Sequence, residues 1–451
     1  MMRLLRKPSV HQLLAAHFAS TPLDELVVTR SDFPHWMRPD LQRALETLFA
    51  GLPSHRFVGA RLRDRELDFR FADLADAGAK SVAVGPAVYQ DVDIGEQTPV
   101  RCLTRGLWLA ERAGVRFALL LDVIGAYRGV RAHVEVAVTP GAAPARVAAE
   151  LVKELRSNAG SGACWRGKAL VLDSAHDDFE ISAAGLRVVD LVPVRREDIV
   201  LPENTLALIE RNTLGFARET QRLVDLGLSA KKGVLLYGPP GTGKTLIVRW
   251  LAGALDGFTK LIVTADNYSL LAEYLDIART LQPALVVLED VDLVGGHRDG
   301  PWAAGGGVLN KLLNEMDGLA RQACVLFVLT TNRPEVLEPA LAARPGRVDQ
   351  AIEIGLPGEA ERRLLIKRHA GGLRVPEGLA ADTAKRTKQA SAAFIKELMR
   401  RAAQAMLERS GEQELQPCDV ERALEDMLGA GGSLGARMLG MERAVGFAAA
   451  V

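Results

Sequence analysis

The first 195 residues combine apolar spacings that predict strands with one that predicts a helix. The run VRFALLLDVIG (115–125) is almost continuously apolar, as a buried strand is, whereas VRAHVEVAVTP (130–140) alternates, as a half-exposed strand does. In APARVAAELVKELRS (143–157) apolar residues recur at helical spacing, and KALVLDS (168–174) predicts another short strand. We therefore predict an independent α+β domain over residues 1–195, in which no repeat or chemical motif indicates a function.

Between residues 196 and 357 the pattern changes to short apolar runs separated by helical stretches and Gly-rich loops. This alternation predicts βαβ units, and hence an α/β domain built on a parallel sheet. Functional groups of such sheets lie at the carboxyl ends of the strands, and polar residues do follow the runs at those ends. The predicted strands are GVLLYG (233–238), LIVTAD (261–266), ALVVLED (284–290), VLFVLTTN (325–332) and AIEIGLP (351–357).

Residues 358–430 predict a small helical domain, because EAERRLLIKRHA, SAAFIKELMRRAAQAMLER and PCDVERALEDML each carry an apolar stripe. A Gly-rich tail follows over residues 431–451.

The start of the chain is basic, but His11, Gln12 and His17 interrupt its apolar stretch, so we predict an amphipathic helix rather than a targeting peptide. No apolar run reaches the roughly 18 residues that a membrane span needs, and we expect a cytoplasmic protein without a transmembrane segment.

The composition narrows the classes of function without selecting one. A length of 451 residues suggests two or three domains, and 48% hydrophobic with 25% charged residues is a globular composition. Lys+Arg and Asp+Glu each number 56, and this zero net charge gives no clear signal for nucleic-acid binding. Cys102, Cys164, Cys324 and Cys418 are too far apart in sequence for a zinc knuckle or redox pair, and no His-Glu-x-x-His motif indicates a zinc peptidase.

The segment GPPGTGKT (238–245) matches G-x-x-x-x-G-K-[ST] between the apolar strand VLLY and the helical stretch TLIVRWLAGAL. This context distinguishes a phosphate loop from a chance Gly-Pro turn. Glycines let backbone N–H groups point at phosphate oxygens, and the helix N-terminus adds partial positive charge. We expect Lys244 to reach the β- and γ-phosphates of a nucleotide and Thr245 to bind Mg²⁺. The predicted nucleotide-binding residues are Gly238, Pro239, Pro240, Gly241, Thr242, Gly243, Lys244 and Thr245.

A second motif, LVVLEDVDLV (285–294), predicts a buried strand that ends in the adjacent carboxylates Glu289 and Asp290. Asp292 follows two residues later. Paired acids at a strand end are suited to hold Mg²⁺ and to activate a water molecule. Most nucleotide-hydrolysing sites of this form have the order Asp-Glu, whereas this chain has Glu-Asp.

Together with LVVLEDVDLV, four further motifs follow in order along the chain: VLNKLLNEMDGL (308–319), VLTTNRPEVLEPAL (328–341), RPGRVDQAIEIGLP (344–357) and SAAFIKELMRRAA (391–403). This set resembles the AAA family of hexameric P-loop ATPases (AAA+). The resemblance covers roughly residues 200–430. It implies a P-loop sheet followed by a helical lid, ATP and Mg²⁺ as ligands, and a homo-oligomeric ring, most often a hexamer.

The resemblance also assigns roles by position. It implies that Glu289 holds Mg²⁺ through water, that Asp290 is the general base, and that Asn332 is the polar sensor orienting the attacking water. A turn-forming Asn would fit position 332 as well. Arg344 and Arg347 match the arginine fingers that act on the nucleotide of a neighbouring subunit, although solvated surface arginines would also fit.

Three departures from the family pattern concern this site. The segment EPALAARPGR has one residue more than the family before Arg344, and Ala392 stands where Gly is usual. The swapped acids make the base shorter by about 1.5 Å. The Glu-Asp order is similar to the LEDVD motif of the mitochondrial ATPase family that translocates the folded Rieske protein.

Residues 264–283 lack the aromatic-hydrophobic-Gly triplet of peptide-threading family members. Tyr268 and Tyr274 lie there at helical positions, and we predict that they pack in the core.

The leading prediction is a ring-forming, Mg²⁺-dependent ATPase that remodels or translocates a protein client recruited by the N-terminal domain. A nucleotide-dependent assembly switch with weak hydrolysis is the alternative, and a DNA motor is a third possibility that the neutral charge does not support.

Overall fold

The computed structural model divides into two compact units, Met1–Val189 and Asp190–Val451. The predicted domain boundaries at residues 195, 357 and 430 stay predictions. The structure describes residues 9–19, 21–61, 70–75, 82–126, 129–172, 185–292, 314, 318, 320, 322–337, 348–409 and 413–428.

In the described part of the first unit, seven antiparallel strands form one sheet in the order β1-β7-β6-β5-β2-β3, with β4 paired to β5. The strands are β1 (Val27–Pro34), β2 (His55–Arg61), β3 (Ala83–Gly85), β4 (Val88–Val92), β5 (Val100–Arg112), β6 (Val115–Ala126) and β7 (Gly129–Val138). The helices are α1 (Val10–Phe18), α2 (Arg38–Ala50), α3 (Phe71–Ala75) and α4 (Ala142–Ala159), and an antiparallel pair follows, β8 (Ala169–Leu172) and β9 (Leu186–Val188).

Helices cover both faces of this sheet. Residues of α2 and α4 share a core with Val134 and Val136 of β7, whereas residues of α1 and α3 share a second core with Ala137. The predicted α+β class is therefore confirmed, but the prediction that β7 is half-exposed is wrong. Its Glu135 faces the second core, is only 6% exposed, and accepts a hydrogen bond from the Phe71 backbone N–H at 2.6 Å. The buried carboxylate is tolerated because it is hydrogen-bonded to the first residue of α3.

In the described part of the second unit, five parallel strands are ordered β14-β10-β13-β12-β11. Every residue of β12 and β13 is buried, as expected for parallel strands that are covered on both faces. The predicted α/β class is confirmed. The strands are β10 (Lys231–Tyr237), β11 (Thr259–Val263), β12 (Ala284–Leu288), β13 (Val325–Thr331) and β14 (Gln350–Glu353), and the helices are α5 (Glu203–Glu210), α6 (Phe216–Asp225), α7 (Lys244–Ala254) and α8 (Leu271–Thr280).

The C-terminal part of this unit is helical, as predicted, and has its own core. Its helices are α9 (Glu359–His369), α10 (Glu377–Arg386), α11 (Ala392–Arg409) and α12 (Pro417–Leu428). Phe394, Leu398 and Met406 repeat at helical spacing along α11 and are at most 1% exposed. The Gly-rich tail lies outside the described residues. Throughout the described ranges, no helix combines the length and the apolar character that crossing a membrane requires.

Candidate nucleotide site

The phosphate loop predicted over residues 238–245, called the glycine loop from here on, connects the end of β10 to the start of α7. Its backbone conformation depends on glycine. Gly238, Gly241 and Gly243 have φ values of 146°, 75° and 102°, a region that side chains disfavour. A Cβ atom on Gly238 would also lie 2.3 Å from the Ile354 carbonyl oxygen of the segment after β14. The loop is held internally by a hydrogen bond from the Thr242 hydroxyl to the Pro239 carbonyl at 3.0 Å. These residues form the narrow backbone cradle that the motif predicts.

Lys244 is the first residue of α7 and turns its side chain back into the loop. Its Nζ donates to the carbonyl oxygens of Gly238 and Pro239, at 2.7 and 2.8 Å. Burial lowers the pKa of this lysine to about 8, although the nearby carboxylates of Asp290 and Asp292 act in the opposite direction. The ammonium group is therefore bound by the loop carbonyls and is near enough to the acids that follow β12 for their charges to act on it.

Two predicted Mg²⁺ ligands contact each other. Thr245 donates a side-chain hydrogen bond to Glu289, which immediately follows β12. Burial raises the pKa of Glu289, the Thr245 hydrogen bond lowers it, and the neighbouring Asp290 charge raises it again. A hydroxyl and a carboxylate at one place are the hard oxygen donors that suit Mg²⁺.

Asp290 and Asn332 also come together, because β12 and β13 are neighbours and both end at this edge of the sheet. The Asn332 amide nitrogen Nδ2 donates to the Asp290 carboxylate at 3.0 Å. Asp290 has a φ of 50°, in the left-handed region, and its N–H donates to the Thr330 hydroxyl at 3.0 Å. The proposed base and the proposed sensor are thus one hydrogen-bonded pair.

Asp292, to which the motif assigned no role, holds the end of β13 in place. Its Oδ1 accepts from the Thr331 hydroxyl at 2.7 Å and from the Asn332 backbone N–H at 3.2 Å. The side chain is buried, so these bonds satisfy a carboxylate that would otherwise be costly to bury. The spacing of Asp290 and Asp292 was the one sequence signal that could have indicated this role.

Replacing Asp292 tests this support of the sensor. Asp292→Ala is expected to lower the free energy of unfolding by about 2 kcal/mol, because the buried Thr331 hydroxyl and the part-buried Asn332 N–H lose their acceptor. Asp292→Asn keeps an acceptor oxygen and should cost about 1 kcal/mol or less. Chemical denaturation of both variants measures the difference. Equal losses for the two variants would contradict the support role.

Tyr268 and Tyr274 are both buried, as predicted for core residues. Tyr268 has a further contact that the sequence did not reveal, since its hydroxyl donates to the backbone carbonyl of Glu289 at 2.8 Å. Burial and the three nearby carboxylates raise the pKa of this tyrosine, so the hydroxyl keeps its proton as a donor.

Arg344 and Arg347 lie outside the described residues, and their role stays a prediction.

A glycine loop between a parallel strand and a helix, together with carboxylates after a neighbouring strand, is the arrangement typical of a P-loop nucleotide-binding domain. Residues 234–356 match the family model described as "ATPase family associated with various cellular activities (AAA)". The chain thus carries a domain of the AAA family of ATPases, which confirms the resemblance that the motifs indicated.

Similar proteins support the same assignment. The 26S proteasome regulatory subunit S10B homolog B of Arabidopsis thaliana is 41% identical over 160 residues, which are 33% of this chain and 40% of that protein. The ATP-dependent zinc metalloprotease FtsH 2 of Symbiobacterium thermophilum is 36% identical over 229 residues, which are 48% of this chain and 38% of that protein. The matched region spans about two fifths of the length of these curated relatives.

Proposed function

We propose that the chain is a Mg²⁺-dependent ATPase that uses ATP hydrolysis to remodel or translocate a protein client. The hydrogen bond between Asp290 and Asn332, at 3.0 Å beside the glycine loop, carries this proposal. It brings a carboxylate that can accept a proton next to an amide that can orient water. The position of both at the ends of neighbouring strands is where α/β sheets place their chemistry.

The residues present fit both proposed ligands. The glycine loop offers backbone N–H groups and the start of α7 to phosphate, and Lys244 already donates into that loop. Thr245 and Glu289, hydrogen-bonded to each other, supply oxygen donors for a divalent cation. When bound, Mg²⁺ would neutralise charge on the β- and γ-phosphate oxygens.

Each side chain then has a defined task in hydrolysis. Lys244 binds the phosphates through a charge-assisted hydrogen bond. Asn332 orients the attacking water by its amide, and Asp290 accepts a proton from that water. Glu289 and Thr245 hold the cation site. Asp292 keeps Asn332 in register by binding its backbone N–H.

The protein client and the ring are supported by likeness. The relatives are, by name, regulatory subunits of the 26S proteasome and an ATP-dependent protease, so we infer a client that is a protein. We propose a homo-oligomeric ring, with a hexamer as the expected size, in which Arg344 and Arg347 complete the site of a neighbour. The first unit would recruit the client. Tyr268 and Tyr274 are buried, which supports an action without peptide threading through aromatic side chains of this segment.

The dependence of ATPase rate on protein concentration tests the shared site. The rate per subunit is expected to rise with concentration and then level off, because each site needs an arginine from a neighbour. Arg347→Ala should lower the plateau rate about 1000-fold, the lower end of the effect of an arginine finger. Arg222→Ala, which removes an exposed arginine paired with Glu219, is the matched control and should leave the rate unchanged.

Two results would redirect the proposal. Tight ATP binding with negligible turnover at every concentration would favour the nucleotide-dependent assembly switch. An ATPase rate per subunit that depends neither on protein concentration nor on Arg347 would contradict a site shared between neighbouring subunits. Titration with DNA at two salt concentrations separates the DNA motor, because phosphate contacts weaken steeply as salt rises.

A further inference from the structure

The peptide group that joins Glu289 to Asp290 is held at both ends by side-chain hydroxyls. At one end, the Tyr268 hydroxyl donates to the Glu289 carbonyl oxygen at 2.8 Å. At the other end, the Asp290 N–H donates to the Thr330 hydroxyl oxygen at 3.0 Å. Tyr268 is 8% exposed and Thr330 is 2% exposed, so water competes little for either bond.

The same stretch of backbone has a conformation that needs support. The φ of 50° at Asp290 belongs to the left-handed region, which residues other than glycine seldom adopt. Asp and Asn tolerate this region better than longer side chains do. Flanking bonds extend the restraint, since the Glu289 N–H donates to the Val263 carbonyl and the Val291 N–H to the Thr330 carbonyl.

This one peptide group determines where the two acids point relative to each other. The Glu289 side chain accepts from Thr245, on the phosphate-loop helix, whereas the Asp290 side chain accepts from Asn332, at the end of β13. A rotation of the peptide between them would move at least one carboxylate away from its partner. Productive catalytic geometry is sensitive to displacements of about 1 Å.

We propose that Tyr268 and Thr330 form a hydroxyl clamp, the pair of hydroxyls that fixes the Glu289–Asp290 peptide, and that both are positioning residues for ATP hydrolysis. The left-handed conformation that the clamp holds at position 290 favours the shorter acid there, in agreement with the Glu-Asp order. This inference rests on the proposed hydrolytic function. It adds two residues, one from the segment before α8 and one from the end of β13, neither of which contacts Asn332 or the glycine loop in the bonds described above.

Removing each hydroxyl while keeping the side-chain volume tests the clamp. Tyr268→Phe and Thr330→Val are each expected to lower kcat about tenfold, the effect typical of groups that orient a metal ligand, with KM for ATP within twofold. The double variant should lose less than the product of the two single losses, because either change alone frees the same peptide. Thr213→Val is the matched control, since the buried Thr213 hydroxyl also donates to a carbonyl, that of Ile209, but outside the site.

A binding measurement judges the clamp independently of turnover. The Mg²⁺ concentration that half-saturates binding of a fluorescent non-hydrolysable ATP analogue should rise about tenfold in both single variants and stay unchanged in Thr213→Val. A parental chain without turnover would defeat the proposed hydrolysis, and the Mg²⁺ half-saturation would then decide the clamp alone. The clamp is refuted if both single variants match the parent in this value, or if Thr213→Val shifts it equally.

Discussion

Asp290→Asn is expected to lower the ATP turnover number by about 100-fold or more while leaving ATP affinity nearly unchanged. General-base catalysis is worth about 10² to 10⁴ in rate, and an amide cannot accept the proton. The substitution is nearly isosteric, and its side-chain oxygen can still accept the hydrogen bond that Asn332 donates at 3.0 Å. The shape of the site should therefore survive while the basicity is lost.

Steady-state phosphate release, read beside equilibrium binding of a fluorescent ATP analogue, separates these two effects. Glu289→Gln is the informative comparison, because Glu289 contacts Thr245 and should chiefly change the Mg²⁺ concentration needed for binding. Turnover of Asp290→Asn at the parental rate would show that the base is assigned to the wrong acid. Glu289 would then become the candidate base.

Lys244→Ala is expected to weaken ATP binding by about 100-fold or more, and to abolish turnover at ordinary ATP concentrations. A charged donor to the phosphates contributes about 3 kcal/mol, which corresponds to roughly that factor in affinity. The change also removes two hydrogen bonds to the Gly238 and Pro239 carbonyls, so the free loop loses an internal restraint.

Lys260→Ala serves as the control for losing a buried lysine. Lys260 lies on β11, is 9% exposed, and has a pKa that burial lowers, as Lys244 does. Lys260→Ala should reduce the thermal stability of the protein without changing its affinity for ATP. Isothermal titration with ATP and Mg²⁺ measures affinity for both variants. Retained affinity in Lys244→Ala would mean that phosphate is recognised by the backbone of the loop alone.

The sequence predicts the parallel sheet and the glycine loop well, because both are local patterns. Five apolar runs became five strands, and the loop glycines occur where the backbone requires positive φ. The pairing of Asp290 with Asn332 follows from the rule that functional groups lie at strand ends. These features depend on few residues and on general rules of chain geometry.

Other contacts could not be predicted because they depend on how distant segments meet. The bond from Tyr268 to Glu289 joins residues 21 positions apart, and the left-handed backbone of Asp290 has no signal in a motif of letters. The covering of β7 on its second face involves α1 and also α3, a five-residue helix whose apolar pattern is too short to predict. Each case is a tertiary contact that overrides a local reading of the chain.

The contact between the glycine loop and the helical end of the unit has a consequence for how such a protein evolves. The Ala393 N–H donates to the Gly241 carbonyl at 3.0 Å, and a Cβ on Gly241 would lie 2.9 Å from the Ser391 hydroxyl. The donor and the acceptor of this hydrogen bond are both main-chain atoms, so the bond does not depend on a particular side chain. The exposed residues of the helices can therefore change to suit a different client, while the hydrogen bond between α11 and the glycine loop is retained.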